Sequence, residues 1–244
     1  MVNLLEVALG AAAAGASVLM ENQDRHLVGN VKGGQVGNLV TEVDLAAERA
    51  VRAYLRDRCP SDAVSGEELD TTTGTNAEYR WSIDPLDGTT NFTRGIPYFA
   101  TSVAVQHTAS GRWIAGVVDA PALGKIYLAS SGGGAFLRRL SGDSQLHGPD
   151  RERELRLLGT GFSYDSDIRR CQYRQLDERM SGFADLRRFG SAAVAICSVA
   201  EGAIDSFHEA DLGEYDWAAG ALIAEEAGLV VVRPATSGEA ITVG

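Results

Sequence analysis

Two aspartates three residues apart, Asp84 and Asp87, stand in the stretch WSIDPLDGTTNF (residues 81–92). They close an apolar run and lie just ahead of Gly88, Thr89 and Thr90. Two carboxylates held this close repel each other unless a cation lies between them. A hard cation such as Mg²⁺, which takes about six oxygens near 2.1 Å and keeps several waters, suits such a pair. Pro85 fixes one φ and narrows the conformations of the link. Gly88 lets the backbone approach a ligand closely. The N–H groups of Gly88 and Thr89, where they open a helix, point at a phosphate. Asp-Pro and Asp-Gly pairs are also common turn formers. A turn alone explains neither the apolar strand that delivers Asp84 nor the glycine and hydroxyls that follow.

Other acids flank this stretch. TEVD (41–44) has the form of a capping box, so Asp44 is expected to start a helix. SGEEL (65–69) puts Glu67 and Glu68 in a turn, a pairing usually found on solvated surface. EYDWAAGALIAEEAG (214–228) sets Asp216 at the head of a helix, where an N-cap role is open to it. The histidines lack H-x-x-x-H spacing, and GNVKGGQVGN (29–38) lacks the G-K-[ST] ending of a P-loop. GTGFS (159–163) is not a G-x-S-x-G nucleophile elbow. With no side-chain nucleophile indicated, the acids support chemistry by metal-activated water.

The elements that must position these residues follow from periodicity. Helices are expected over 2–22 and 41–59, the second ended by Pro60. A short strand over 62–69 runs into the Glu67–Glu68 turn, 71–78 is a polar loop, and a strand over 80–84 enters the aspartate motif. The segments YFATSVAVQHT, RWIAGVVDA, KIYLAS and GAFLRR then read as an antiparallel meander. A charged linker over 141–153 divides an N-terminal α+β half (1–140), with the main metal motifs, from a C-terminal α/β half (141–244). In the latter, strands 155–160, 185–189, 203–207 and 229–232 alternate with helices 166–180, 191–201 and 215–227.

The 244 residues are 45% hydrophobic and 23% charged, an ordinary globular composition for one catalytic unit of two packed halves. A net charge of −11 argues against binding to nucleic acid or anionic membrane. Three cysteines without a C-x-x-C pair imply neither a disulfide framework nor a structural zinc site, and fit a reducing cytoplasm. No signal peptide or membrane span is read at the N-terminus.

Taken in order, TEVD, GEE, DPLDGTTNF and EYDWAAG resemble the motifs of the inositol monophosphatase family, within the lithium-sensitive, magnesium-dependent phosphatase superfamily, over roughly residues 3–243. VVDAPALGKIYLASSGGGAF and GTGFSYD fit the same pattern. The resemblance implies an α/β (α+β) fold, a layered αβαβα sandwich of the inositol monophosphatase and fructose-1,6-bisphosphatase type. It implies two to three Mg²⁺ ions per site, with Mn²⁺ as a substitute and Li⁺ and Ca²⁺ as inhibitors. By the same resemblance, Glu67, Asp84 and the Leu86 carbonyl would hold a first metal, Asp84, Asp87 and Asp216 a second, and Glu67 with waters a third. Thr89 paired with Asp44 would activate the attacking water, with Glu67 completing the catalytic set. Gly88 and Thr89 would bind phosphate, and Lys32 would lie over the site on a flap. Gly190, Ser191 and Ala192 would line the alcohol pocket, and Glu209 would bind a sugar or cyclitol hydroxyl.

The expected activity is hydrolysis of inositol monophosphate or a similar small polyol phosphate by a cytoplasmic homodimer. Histidinol phosphate and sugar phosphates or bisphosphates are alternatives within the family, and a non-catalytic metal- or phosphate-binding regulator is the alternative outside it. Two positions bear on the match. Tyr215 stands where the family often has tryptophan, with Trp217 after the aspartate, and Thr90 in place of lysine points to the monophosphatase branch.

Overall fold

The computed structural model describes residues 3–25, 29–31, 39–74, 77–236 and 238–244. Lys32, with the rest of the glycine-rich run from 32 to 38, lies outside the described residues, as do residues 75 and 76 of the polar loop.

An alanine-rich segment of high helix propensity forms α1 (Leu4–Asn22), opened by Asn3, whose side chain accepts from the N–H groups of Leu5 and Glu6. A short antiparallel ribbon of β1 (Asn30–Val31) and β2 (Leu39–Val40) follows. Next comes α2 (Glu42–Arg58), which starts at the expected capping box. There the Asp44 and Val43 N–H groups donate to Thr41 Oγ1, and the Thr41 N–H donates back to Asp44 Oδ2 at 2.8 Å.

Both helices pack on one face of a seven-stranded sheet. Its order is β3 (Ala63–Gly66), β4 (Tyr79–Asp87), β5 (Ala100–His107), β6 (Arg112–Ala120), β7 (Lys125–Ser130), β8 (Gly134–Arg139) and β9 (Gly142–Gln145). Only the β3–β4 pair is parallel; the others form the expected meander. Val7, Ala11, Val51, Trp81, Ile83 and Val103 meet in the core between helices and sheet. By length and composition α1 could cross a bilayer, yet Ala8, Ala11, Ala12 and Leu19 are completely buried against the protein, so it is a core helix.

The opposite face of this sheet is covered by α5 (Ala192–Ala200) and α6 (Glu214–Glu226). Helix α6 comes so close that a Cβ on Gly116 of β6 would lie 3.0 Å from the Ala219 backbone. Beyond these helices lies a five-stranded sheet. Its order is β11 (Asp185–Arg187), β10 (Leu157–Thr160), β12 (Ser206–Ala210), β14 (Ala240–Val243) and β13 (Val231–Val232). Ile196, Ile223, Phe207, Ile241 and Val243 join the layers in the larger core. On the outer side, Gln172, Leu176 and Arg179 of α4 (Ser166–Arg179) share a small cavity with Thr160 and His208 of the sheet. The layers run helix, sheet, helix, sheet, helix, the expected αβαβα sandwich.

Several stretches differ from the sequence reading. The strand expected over 80–84 runs on through the aspartate motif to Asp87, and β1 lies inside the run read as a glycine-rich loop. Residues 142–145, read as linker, form the edge strand β9, so the chain leaves the first sheet after Gln145 and not at 140. All four are exposed, so no alternation of apolar and polar residues marks them. The strand expected over 203–207 runs over 206–210, which carries Glu209 within it. Strand β14, beyond the last expected strand, pairs between β12 and β13, and only Ile241 and Val243 give it an apolar face.

Candidate active site

The two aspartates of the motif lie at the end of β4. In a regular strand, residues three apart point to opposite faces. Against β5, however, Asp84 pairs with Ser102 and Asp87 with Ala100, so three steps on β4 match two on its neighbour. This β-bulge adds one residue and turns both carboxylates to the same side. The Leu86 N–H closes the bend by donating to Asp84 Oδ1 at 3.0 Å.

Past Asp87 the chain turns through Gly88 at φ 103°, a left-handed conformation that suits glycine, into α3 (Thr89–Thr93). A Cβ at Gly88 would sit 3.0 Å from the Tyr98 carbonyl oxygen and 3.2 Å from that of Gly190. Asn91 fixes this approach, donating to the Tyr98 carbonyl at 2.7 Å and the Phe189 carbonyl at 2.8 Å.

Asp87 is gripped from the other half of the molecule. Its carboxylate accepts from Ser191 Oγ at 2.6 Å and from the Ala193 and Ala192 N–H groups at 2.7 and 3.2 Å. These donors open α5, whose positive end favours a carboxylate. Gly190, Ser191 and Ala192 do line the neighbouring cavity, but Ser191 and Ala192 direct polar groups to Asp87. Asp216, in the first turn of α6, is held by the Gly213 N–H at 2.6 Å. One carboxylate oxygen from each of Asp84, Asp87 and Asp216 lies within 4.8 Å of the others.

Asp44 meets the motif from α2. Its Oδ2 takes the helix cap, while its Oδ1 accepts from Thr89 Oγ1 at 2.8 Å. The same hydroxyl lies 3.1 Å from the Leu86 carbonyl oxygen, an alternative acceptor for its one proton. Glu67 follows β3 and lines a cavity of about 70 Å³ with Asp84, Leu86, Asp87, Thr89 and Asp216. A second, larger cavity of about 170 Å³ adjoins it and includes Gly161, Phe162, Tyr164, Arg188 and Glu209.

The electrostatics are those of an acid cluster short of positive charge. Burial, reinforced by Glu67, Asp87 and Asp216, pushes the Asp84 carboxyl well above its ordinary value. Burial likewise raises Asp216, with Asp87 and Glu67 adding repulsion against the Gly213 N–H. Asp87 rises to about 6 by burial, although its hydrogen bonds from α5 and nearby Arg188 oppose the shift. Glu209 rises to about 8, again mainly by burial. Converging carboxylates of this kind need a cation, and an all-oxygen donor set suits a hard divalent ion such as Mg²⁺. The residues therefore fit the metal that the motifs imply.

Several contributors escaped the sequence reading. Glu48, fully buried, accepts from the Glu68 and Leu69 N–H groups at 2.8 and 3.3 Å and so shapes the turn that carries Glu67. It lies one helical turn beyond Asp44, the spacing that could have revealed it. Tyr164 comes from the loop before α4 and lines both cavities; it stands inside the GTGFSYD stretch of the family pattern, where the sequence reading gives it no role. Arg188 follows β11 and carried no sequence signal at all.

This sandwich, with its acid cluster between the end of β4 and the helices that separate the two sheets, is the fold of the inositol monophosphatase and fructose-1,6-bisphosphatase type. The chain belongs to the inositol monophosphatase family, whose profile it matches over residues 1–243. It is 39% identical to the Nus factor SuhB of Pseudomonas aeruginosa over 241 residues, 93% of this chain and 84% of that protein. It is 40% identical to the inositol-1-monophosphatase of Rhizobium meliloti over 191 residues, covering 78% of this chain and 70% of the relative. The crystal structure of the extragenic suppressor protein suhB from Bartonella henselae superposes with a TM-score of 0.88 at 30% identity, covering 99% of this chain and 93% of that one.

Proposed function

We propose that the protein hydrolyses the phosphate monoester of a small polyol, with inositol monophosphate the leading substrate. The observation that carries this reading is the convergence of Asp84, Asp87 and Asp216 beside the Thr89–Asp44 pair at the edge of a polar cavity. Glu67, Asp84, the Leu86 carbonyl, Asp87 and Asp216 are the ligands for two to three Mg²⁺ ions. When bound, those ions neutralise phosphoryl charge and acidify the attacking water.

The remaining steps belong to the chain. Thr89, donating to Asp44, keeps its oxygen lone pairs free to accept a proton from the water, and the buried Asp44 carboxylate is the base at the end of that relay. Glu67 shares this catalytic set through its place in the same cavity. The backbone N–H groups of Gly88 and Thr89 hold phosphate oxygens. Glu209, on the wall of the larger cavity beside Gly190, Ser191 and Ala192, binds a hydroxyl of the leaving alcohol. The proposal includes Lys32 as a flap residue over the site and a homodimer in the cytoplasm.

The test is phosphate release, with and without Mg²⁺, from inositol 1-phosphate, histidinol phosphate, fructose 1,6-bisphosphate and a 3′-phosphonucleotide. Mg²⁺-dependent release from inositol 1-phosphate far above the others supports the reading. Preference for another ester keeps the chemistry and changes the substrate. A second reading, a metal- or phosphate-binding regulator without turnover, draws on the Pseudomonas relative's name of Nus factor. It predicts metal binding by calorimetry with no phosphate release at any Mg²⁺ concentration.

A further inference from the structure

Arg188 is the one cationic side chain in the walls of the two cavities among the described residues. It lines the larger cavity, on the alcohol side, and not the smaller one that holds Asp84, Leu86 and Thr89. Its guanidinium lies against the residue that opens the path to α5: a Cβ on Gly190 would fall 2.8 Å from Arg188 Nη1. The Gly190 carbonyl in turn abuts Gly88. Arg188 is exposed at the cavity mouth, where Asp87, Glu209 and Asp211 share the wall. Its charge opposes the upward shifts of Asp87 and Glu209, yet it makes no direct hydrogen bond or salt bridge to a described residue. Its neighbour Arg187, by contrast, is bound to Asp185 at 2.7 Å.

A guanidinium presents a planar fork of donors matched to phosphate and carboxylate, and a neutral polyol gives it little to pair with. We propose that Arg188 is a specificity-determining residue that binds a second anionic group, a phosphate or a carboxylate, on the alcohol half of the substrate. The inference rests on the phosphatase reading for which phosphate is cleaved, and where it holds, a polyol phosphate bearing a further anion takes the place of inositol monophosphate as the leading substrate.

The test is calorimetric titration with matched ligands, in Ca²⁺ so that turnover does not deplete them. Fructose 1,6-bisphosphate is compared with fructose 1-phosphate, and 3-phosphoglycerate with glycerol 3-phosphate. The wild-type protein should bind the doubly anionic member of at least one pair about tenfold more tightly or better. The pair that responds tells phosphate from carboxylate. Arg188→Ala should bring that ratio close to one, and Arg188→Lys should keep part of it.

Equal affinities within both pairs, or no binding of either doubly anionic ligand, would overturn the proposal. So would a loss in Arg188→Ala that falls equally on both members, because the arginine would then serve the shared phosphate. Phosphate release from the same ligands in Mg²⁺ separates the two levels. Selective binding with no release from these ligands or from inositol 1-phosphate refutes the hydrolytic reading and leaves Arg188 in its role, whereas release without selectivity does the reverse.

Discussion

Asp44 divides its carboxylate between two tasks, one oxygen capping α2 and the other receiving the Thr89 hydroxyl. Separate substitutions can pull these apart. Thr41→Ala removes the hydroxyl that accepts from the Val43 and Asp44 N–H groups and leaves the Thr41 N–H donating to Asp44; it should cost about 1 kcal/mol of stability, seen as a lower Tm. Thr89→Val should leave Tm nearly unchanged while phosphate release collapses, and Thr89→Ser should restore much of it. Retained activity in Thr89→Val would remove this hydroxyl from the mechanism. Asp84→Asn, which alters the carboxylate at the centre of the cluster, should lose more than the about 10–100-fold that loss of an outer-shell partner costs. Activity within severalfold of wild type would count against the shared-ligand assignment. At this scale the sequence was informative where residue types were crowded together. Asp84 and Asp87 were legible because no simple turn requires an apolar strand, two acids and a Gly-Thr-Thr run together. Arg188 was not, since an arginine after a short strand and beside Arg187 carries no period or spacing and acquires meaning only from the cavity it faces.

Elements turn those residue types into a site. The bulge in β4 aligns two aspartates, and Gly88 lets α3 begin within van der Waals distance of two carbonyl oxygens. Gly88→Ala would bring a Cβ to a left-handed backbone with neighbours at 3.0 and 3.2 Å. It should destabilise the protein by at least about 1–2 kcal/mol and lower phosphate release as well, measured by thermal melts and assay on the same preparation. An unchanged melt would mean that the turn relaxes without strain. Long periodic helices such as α1 and α2 were readable from composition and capping, and so was the meander from its alternation. Strands β9 and β14 were not. The first is polar on both faces, and the second is short and takes its place from partners distant in sequence. The bulge itself left a trace only in Pro85; its register is decided by pairing with β5.

At the scale of the molecule, the site joins parts that fold from different regions of the chain. Asp84 and Asp87 come from the first sheet, Asp216 from a helix packed between the sheets, and the grip on Asp87 from α5. In the metal-free protein the folded-state carboxyl of Asp87 lies near about 6, against an ordinary 3.8. A raised carboxyl stabilises the fold fully below its unfolded value, and that contribution is lost as pH rises through the folded one. Asp84 and Asp216 shift in the same direction. Mg²⁺ should therefore raise Tm more at about pH 7.5 than at about pH 5, because protons compete with it at the lower pH. A Mg²⁺ shift independent of pH would contradict the cluster as the binding site.

Glu201, at the end of α5, ties the layers together elsewhere. It accepts from Lys125 at 2.7 Å, Tyr127 at 2.6 Å and Arg139 at 2.6 Å. Burial pushes its carboxyl up, but these partners bring it below its ordinary value. Glu201→Gln should cost about 2–4 kcal/mol by denaturant unfolding without changing metal affinity. A parallel loss of metal affinity would mean that the two joints are coupled.

The bulge in β4 also bears on inheritance. Deleting Leu86 would leave every acidic residue of the cluster in the chain and, by the pleat of a regular strand, both aspartates on one face, yet it would take away the N–H and carbonyl that the bulge presents between them. An inherited insertion of one residue between those two aspartates would redirect a charge while erasing no letter of the cluster, so the count of residues there is as much a part of the site as their identity.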